Sequence, residues 1–330
     1  MTYRLVHRPL GGQTVLLEEK DRYLALLGQR FGRRFWEYRQ SWAQAEKRAY
    51  LGAFPLSLDL AVNGGCQLSC PMCSLPAKDA AYKNLKIPQE IYLKILAEAK
   101  ESALPALSLG LAREPLVADK IAAKVEAAVK AGVMDIRLGT NGLLLNETLI
   151  KGLIDAGLTR LEVSVDAVEP GAYKAIRGGD LATLEKLILL FLDIRAQMKV
   201  AWPLLRVSFL RLPQNKGQLG PFLKRWQGLA DLVVAQKPIW HPGSKLPKPP
   251  LKTVKSIPCG QPWQRLGLGP DGRLWPCCSW YGENLLPRLA LKRLSIAKIW
   301  RSWELTALRR SLIFNRPTAS CLSCAQAGAF

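Results

Sequence analysis

The chain has 330 residues, 49% apolar and 22% charged, a balance that excludes a mainly disordered protein. Its most apolar stretches, such as Leu181–Leu192, are short and interrupted by charge, and its first residues lack the apolar run of a secretory signal. A bilayer-spanning protein is therefore excluded and the cytoplasm is the expected compartment. Lys and Arg number 47 against 26 Asp and Glu, a net charge of +21. Residues 51–200 carry 17 basic and 17 acidic residues, whereas 201–330 carry 20 and 4. Such asymmetry points to an anionic partner: nucleic acid, an anionic membrane surface or an anionic substrate.

Residues 1–55 read as a mostly helical N-terminal extension, with helices over Leu24–Arg34 and Trp36–Arg48. Strand and helix patterns then alternate. Strands are expected at Ser57–Val62, Ala106–Leu109, Asp135–Leu138, Arg160–Val165, Leu205–Leu210 and Asp231–Ala235. Between them fall helices at Pro88–Ala103, Ala118–Ala131, Asn146–Ala156, Leu181–Met198 and Gln218–Leu229. Asn146 serves as an N-cap, and Gly132 and Gly157 as helix stops. Six such units predict an α/β fold, a partial (β/α)6 TIM-like barrel over residues 56–240, with ligands at the C-terminal ends of its strands. Residues 241–258, rich in Pro and Lys, read as a linker. Residues 259–330 read as a small Cys-rich α+β module. Within it, Gly269–Gly272 (GPDG) predicts a hairpin between Arg265–Leu268 and Arg273–Trp275. Leu291–Phe314 is an amphipathic basic stretch that suits a membrane-surface helix or a core helix with a solvated basic face.

Eight cysteines and two histidines set the chemistry. Cys66-x3-Cys70-x2-Cys73 directly follows the first strand of the alternating region. Three thiolates within eight residues can wrap a small metal cluster and leave one metal position open; the alternatives are buried free thiols or a zinc site with a distant fourth ligand. Cys259, Cys277 and the pair Cys321-x2-Cys324 make a four-thiol set, which suits either a cluster or a zinc ribbon. Cys278 is left over: a buried apolar residue, a substitute ligand for Cys277, or a thiol that donates a hydrogen atom to a radical.

The run CQLSCPMC after a first strand resembles the CxxxCxxC signature of radical S-adenosylmethionine (SAM) enzymes. The resemblance implies a [4Fe–4S] cluster on Cys66, Cys70 and Cys73, whose open iron chelates S-adenosyl-L-methionine. Reductive cleavage would then give a 5′-deoxyadenosyl radical that abstracts a substrate hydrogen atom. Met72 stands at the position whose backbone meets adenine. Ala112-Arg113-Glu114-Pro115 stands where the family has Gly-Gly-Glu-Pro. Asn141 lies in a Thr-Asn-Gly after strand three, and Ser164 and Asp166 form the Ser-x-Asp after strand four. Tyr173-x3-Arg177-Gly178-Gly179 resembles the family's Y-x3-R-x-G, with Arg177 near the cofactor carboxylate.

The second cysteine set resembles a truncated SPASM module, the twitch domain. That implies one auxiliary [4Fe–4S] cluster on Cys259, Cys277, Cys321 and Cys324, able to accept or relay an electron. The implied partners are a reductant such as flavodoxin or ferredoxin and an anionic substrate. Oxidation of a sugar- or cyclitol-type alcohol is the leading expectation, and epimerisation or crosslinking of a ribosomal peptide the alternative. A cluster-bearing nucleic-acid or membrane-surface binder without radical activity is the third reading. No nucleic-acid motif accompanies the basic residues.

Overall fold

The computed structural model describes residues 5–7, 13–73, 80–111, 113–238, 245–246, 253–277 and 295–326. Two short strands, β1 (Leu5–His7) and β2 (Gln13–Leu16), pair antiparallel and lead into α1 (Leu17–Glu46). The alternating region follows: β3 (Ser57–Leu60), α2 (Ala80–Lys83), α3 (Gln89–Glu101), β4 (Ala106–Leu109), α4 (Ile121–Lys130), β5 (Asp135–Thr140) and α5 (Glu147–Asp155). It continues through β6 (Arg160–Ser164), α6 (Pro170–Arg177), α7 (Leu181–Gln197), β7 (Leu204–Leu210), α8 (Leu219–Trp226) and β8 (Leu232–Gln236). Then come α9 (Gln261–Gln264), β9 (Arg265–Leu268) and β10 (Leu274–Trp275), and helices at Ile296–Trp300, Trp303–Ile313 and Ala319–Gln326.

Strands β3 to β8 lie side by side in chain order and all run parallel, the arrangement of six β/α units. The sheet stays open: β2 adds antiparallel to β8 at one edge, and β9 adds parallel to β3 at the other. This is the expected partial-barrel α/β fold. Local signals explain its elements. Asn146 Oδ1 accepts from Leu149 N at 2.9 Å and starts α5; Asp180 caps α7 through Thr183 N. Alternation divides the strands into two faces. Leu58, Leu107, Ile136, Leu161 and Val207 belong to one continuous apolar core with Ile95, Val125, Ile150 and Leu184 of the helices. Each such buried side chain stabilises the fold by about 1.5–3 kcal/mol. The opposite face carries Asp59, Arg137, Glu162 and Arg206, linked by ion pairs from strand to strand.

Two expectations need correction. The N-terminal extension is not only helical: residues 5–7 and 13–16 form a hairpin that covers the β8 edge, which would otherwise expose unpaired backbone. The two helices expected there are present within α1, and they meet at a non-helical residue, Gly32 (φ 60°, ψ −144°), a few positions ahead of the expected break. α1 covers the N-terminal end of the sheet, where Arg34 donates to Gly132 O at 2.9 Å, just ahead of β5. Finally, Leu291–Phe314 is not one amphipathic helix. Ser302 caps a new helix through Leu305 N, so Trp300 is buried while Trp303 is 79% exposed. The expected C-terminal hairpin forms, and its β9 is part of the main sheet. Most of the expected linker lies outside the described residues; of the rest, Ile257 is buried and Lys245 N donates to Pro71 O at 2.7 Å. Among the described residues no helix is long and apolar enough to cross a membrane.

Candidate metal and cofactor site

The loop after β3 carries Cys66, Cys70 and Cys73, and its path is set by close packing. Gly64 N donates to Leu85 O at 2.8 Å, and a Cβ at Gly64 would lie 1.7 Å from Tyr82 O, so only glycine fits. Asn63 is buried; its Oδ1 accepts from Gly65 N at 2.7 Å and its Nδ2 donates to Glu114 O at 2.9 Å. Cys73 N donates to Cys70 O at 3.0 Å, a tight turn that contains Met72.

Glu114 joins this loop to the ends of β4 and β5. It is 3% exposed. Its Oε1 accepts from Thr140 Oγ1 at 2.6 Å and Leu116 N at 3.1 Å, and its Oε2 from Asn141 N at 2.8 Å. Burial pushes its carboxyl above the usual range, against those hydrogen bonds. The side chain is thus wholly engaged with the protein. Arg113 lies over the Tyr82 ring at 5.2 Å. Ala112 and Cys278 lie outside the described residues.

Asn141 sits beside the first thiol, with Nδ2 4.0 Å from Cys66 Sγ. Its amide exchanges hydrogen bonds with the Gln67 amide, at 2.9 and 3.3 Å. The following Gly142 has φ +80°, and a Cβ there would meet Leu184 at 2.6 Å. Asp166 is fully buried at φ +64°, a backbone region that Asp tolerates better than most residues. Its Oδ1 accepts from Leu210 N at 2.7 Å, and its Oδ2 accepts from Arg177 Nε at 2.7 Å and from Arg177 Nη2. Burial alone would lower the Arg177 guanidinium; Asp166 outweighs it and holds the charge in place. Cys70 Sγ lies 3.6 Å from Arg177 O. Ser164 ends β6 opposite Ser208 of β7. Tyr173 is buried, and burial pushes its phenol up to about 12.

The structure therefore brings Cys66, Asn141, Cys70, Arg177 and Asp166 together at the C-terminal ends of β3, β5 and β6. Asn63, ahead of the cysteine run, and Gln67, at one of its variable positions, join them. An asparagine or glutamine flanking a cysteine loop is the only sequence signal they carry.

All three thiols of the loop are half-buried, and burial raises Cys66 and Cys70. In the second set, Cys259 and Cys321 pack against one apolar cluster with Ile257, Trp263 and Leu312. Cys321 and Cys324 lie one turn apart on one helix, and Cys277 follows β10. Arg48 of the N-terminal region ties this area together, donating to Cys259 O at 3.2 Å, to Leu312 O at 2.9 Å and to Ile257 O. Among the described residues no three Cys, His, Asp or Glu side chains converge closely enough to grip a single metal ion. A donor set of thiols, without imidazole or carboxylate, fits an iron–sulfur cluster.

Comparison with known proteins gives matches to two families. Residues 60–196 match the Radical SAM superfamily, and residues 259–325 match SPASM, an iron-sulfur cluster-binding domain. Among curated proteins, a probable GTP 3',8-cyclase of Methanococcus maripaludis is 30% identical over 164 residues, 49% of this chain and 52% of that protein. The chain thus spans about half the length of the curated relatives it matches. Among solved structures, Streptococcus suis SuiB bound to S-adenosylmethionine shares the fold at TM-score 0.62 and 16% identity, over 89% of this chain and 76% of that one. SuiB bound to its precursor peptide SuiA aligns at TM-score 0.60 and 15% identity, over 89% and 75%.

Proposed function

We propose that the chain, whose residues 60–196 match the Radical SAM superfamily and 259–325 the SPASM iron-sulfur cluster-binding domain, reductively cleaves S-adenosylmethionine and abstracts a hydrogen atom from a substrate. The observation that carries this reading is the cysteine loop, pinned at the C-terminal strand ends by Asn63, Glu114, Asn141 and Gln67 on one side and by Asp166–Arg177 on the other. Cys66, Cys70 and Cys73 would hold the first cluster, and Cys259, Cys277, Cys321 and Cys324 the second. When bound, the first cluster supplies one electron to the sulfonium of S-adenosylmethionine.

The chain's own residues position and enclose. Glu114 orders Thr140 and Asn141, and so sets the backbone turn through which Arg113 and its neighbours face the cofactor. Asn141 and Ser164 present polar groups to it. Asp166 fixes the Arg177 side chain close to Cys70, where a cation favours thiolate and cofactor carboxylate alike. An external reductant and a substrate complete the reaction.

The substrate we propose is an anionic sugar- or cyclitol-type molecule whose alcohol is oxidised, with the auxiliary cluster taking the second electron. The nucleotide in the name of the curated relatives also belongs to the anionic class. A ribosomal peptide is the second reading, favoured by the likeness to SuiB over most of the chain. Anaerobic reconstitution, reduction and assay for 5′-deoxyadenosine test the activity. The expected result is cleavage that is lost in Cys66→Ala; no cleavage under strong reductant would leave a cluster-bearing binding protein instead.

A further inference from the structure

At the opposite end of the sheet, under α1, lies a partly open cavity of about 90 Å³, room for about three waters or one small anionic group. It is walled by the first residues of several strands and by α1 side chains, and arginine dominates its lining: Arg39, Arg137, Arg160 and Arg265, against one carboxylate, Asp135. These groups belong to a wider network on the inner face of the sheet. Arg265 pairs with Asp59 at 2.9 Å, Arg137 reaches Asp59 at 3.6 Å and Glu162 at 3.7 Å, and Arg206 pairs with Glu162 at 2.8 Å. Arg160 takes Asp135 through two nitrogens. Five arginines thus face three carboxylates in a region where most of these side chains are largely buried. Burial alone would raise the Glu162 carboxyl, but Arg206, Arg137 and Arg160 outweigh it and hold it down at about 2. All three carboxylates therefore stand opposite arginines, and among the described residues the arginines of this network outnumber them by two.

A surplus of buried charge is costly unless a counter-charge answers it. The planar guanidinium forks suit an oxygen anion, and the neighbouring Trp42 ring, 5.0 Å from the Arg265 guanidinium, keeps one wall apolar. We propose that this cavity is a second ligand site, which binds a small oxyanion, phosphate or carboxylate, between α1 and the N-terminal ends of β3, β5, β6 and β9. Arg137 lines the cavity and also joins the ion pairs above it, so a free oxyanion and the anionic tail of a longer ligand meet the same guanidinium. The site lies at the far end of the strands from the cysteine loop, so it stands or falls separately from S-adenosylmethionine cleavage.

Calorimetric titration of the reconstituted full chain with inorganic phosphate at low ionic strength tests the proposal, with 5′-deoxyadenosine formation measured on the same preparation. Wild type should bind one phosphate saturably. Arg39→Gln should weaken it about tenfold or more; Arg39 contacts the Tyr38 and Trp42 rings, so its loss strands no paired carboxylate. Asp135→Asn should tighten binding several-fold by releasing Arg160, a direction that partial unfolding cannot produce. Arg310→Gln, on the exposed surface of the Trp303–Ile313 helix, should leave the affinity unchanged. A nucleoside triphosphate that displaces phosphate one for one identifies the tail of a longer ligand as the occupant; no displacement identifies the free oxyanion. Absence of saturable phosphate binding by wild type, an unchanged affinity in Arg39→Gln, or an equal loss in Arg310→Gln overturns the proposal.

Discussion

The two ends of the parallel sheet hold their polar groups in different ways. At the C-terminal end, polar side chains are tied to backbone, Glu114 to Asn141 N and Leu116 N, Asp166 to Leu210 N, Asn63 to Gly65 N, as well as to one another, as in Asp166–Arg177 and Asn141–Gln67. At the N-terminal end and along the inner face, side chains are tied to side chains, arginine to carboxylate. Bonds to a fixed backbone preset geometry, which suits loops that must offer three thiols in one arrangement. Pairs of flexible charged side chains instead create a field, and a surplus of arginine gives that field a sign. Precision belongs to one end and charge to the other.

The largest expected effect separates the two ends outright. Cys66→Ala should abolish 5′-deoxyadenosine formation and leave phosphate binding intact; loss of both would show that the ends do not act independently. Next in size is Asp166→Asn, which leaves the Arg177 guanidinium uncompensated beside Cys70. It should destabilise the fold by about 3–5 kcal/mol, read by thermal or denaturant unfolding. Glu162→Gln breaks the corresponding link on the inner face and should cost about 3 kcal/mol.

The same carboxyl makes a prediction about pH. Its folded value, about 2, lies below its ordinary 4.5. Its contribution is therefore present in full above pH 4.5 and disappears as pH falls towards 2. Wild type should lose stability across that window, and Glu162→Gln should lose less. Glu114→Gln removes one acceptor at the other end and should cost about 1–3 kcal/mol, with slower S-adenosylmethionine cleavage as the functional readout. The smallest effect belongs to Arg39→Gln, which gives up only ring contacts and should change stability by about 0.5–1 kcal/mol.

The C-terminal end is legible in the amino-acid sequence itself. Short motifs after each strand place Cys66, Asn141 and Asp166 by their order alone, and Asn146 announces its own helix. The inner face is legible only in half. The alternation in RLEVS (Arg160, Glu162, Ser164) marks one side of a strand, yet which arginine meets which carboxylate is decided by neighbours 25 or more positions away, as in Arg160–Asp135 and Arg206–Glu162. Residues 5–7 and 13–16 are too short to carry a period, and their strands arise from the β8 edge they cover. Glu114 shows a third limit. Its motif identifies the residue, but only the fold shows that its carboxylate faces Thr140 and Asn141.

The parallel pairing of β9 with β3 has a consequence for how the two cysteine regions communicate. The segment from Cys259 runs through α9 into β9, and β3 runs out into the loop of Cys66, so both are anchored to adjacent strands in fixed register, Ser57 against Arg265 and Leu60 against Leu268. No hinge intervenes between these anchors; to swing one region away would break the ladder between them. Electron tunnelling falls steeply with distance, and a spacing held by the sheet turns that sensitivity into a constant of the molecule. Clusters held by the two regions would keep a spacing set by the sheet.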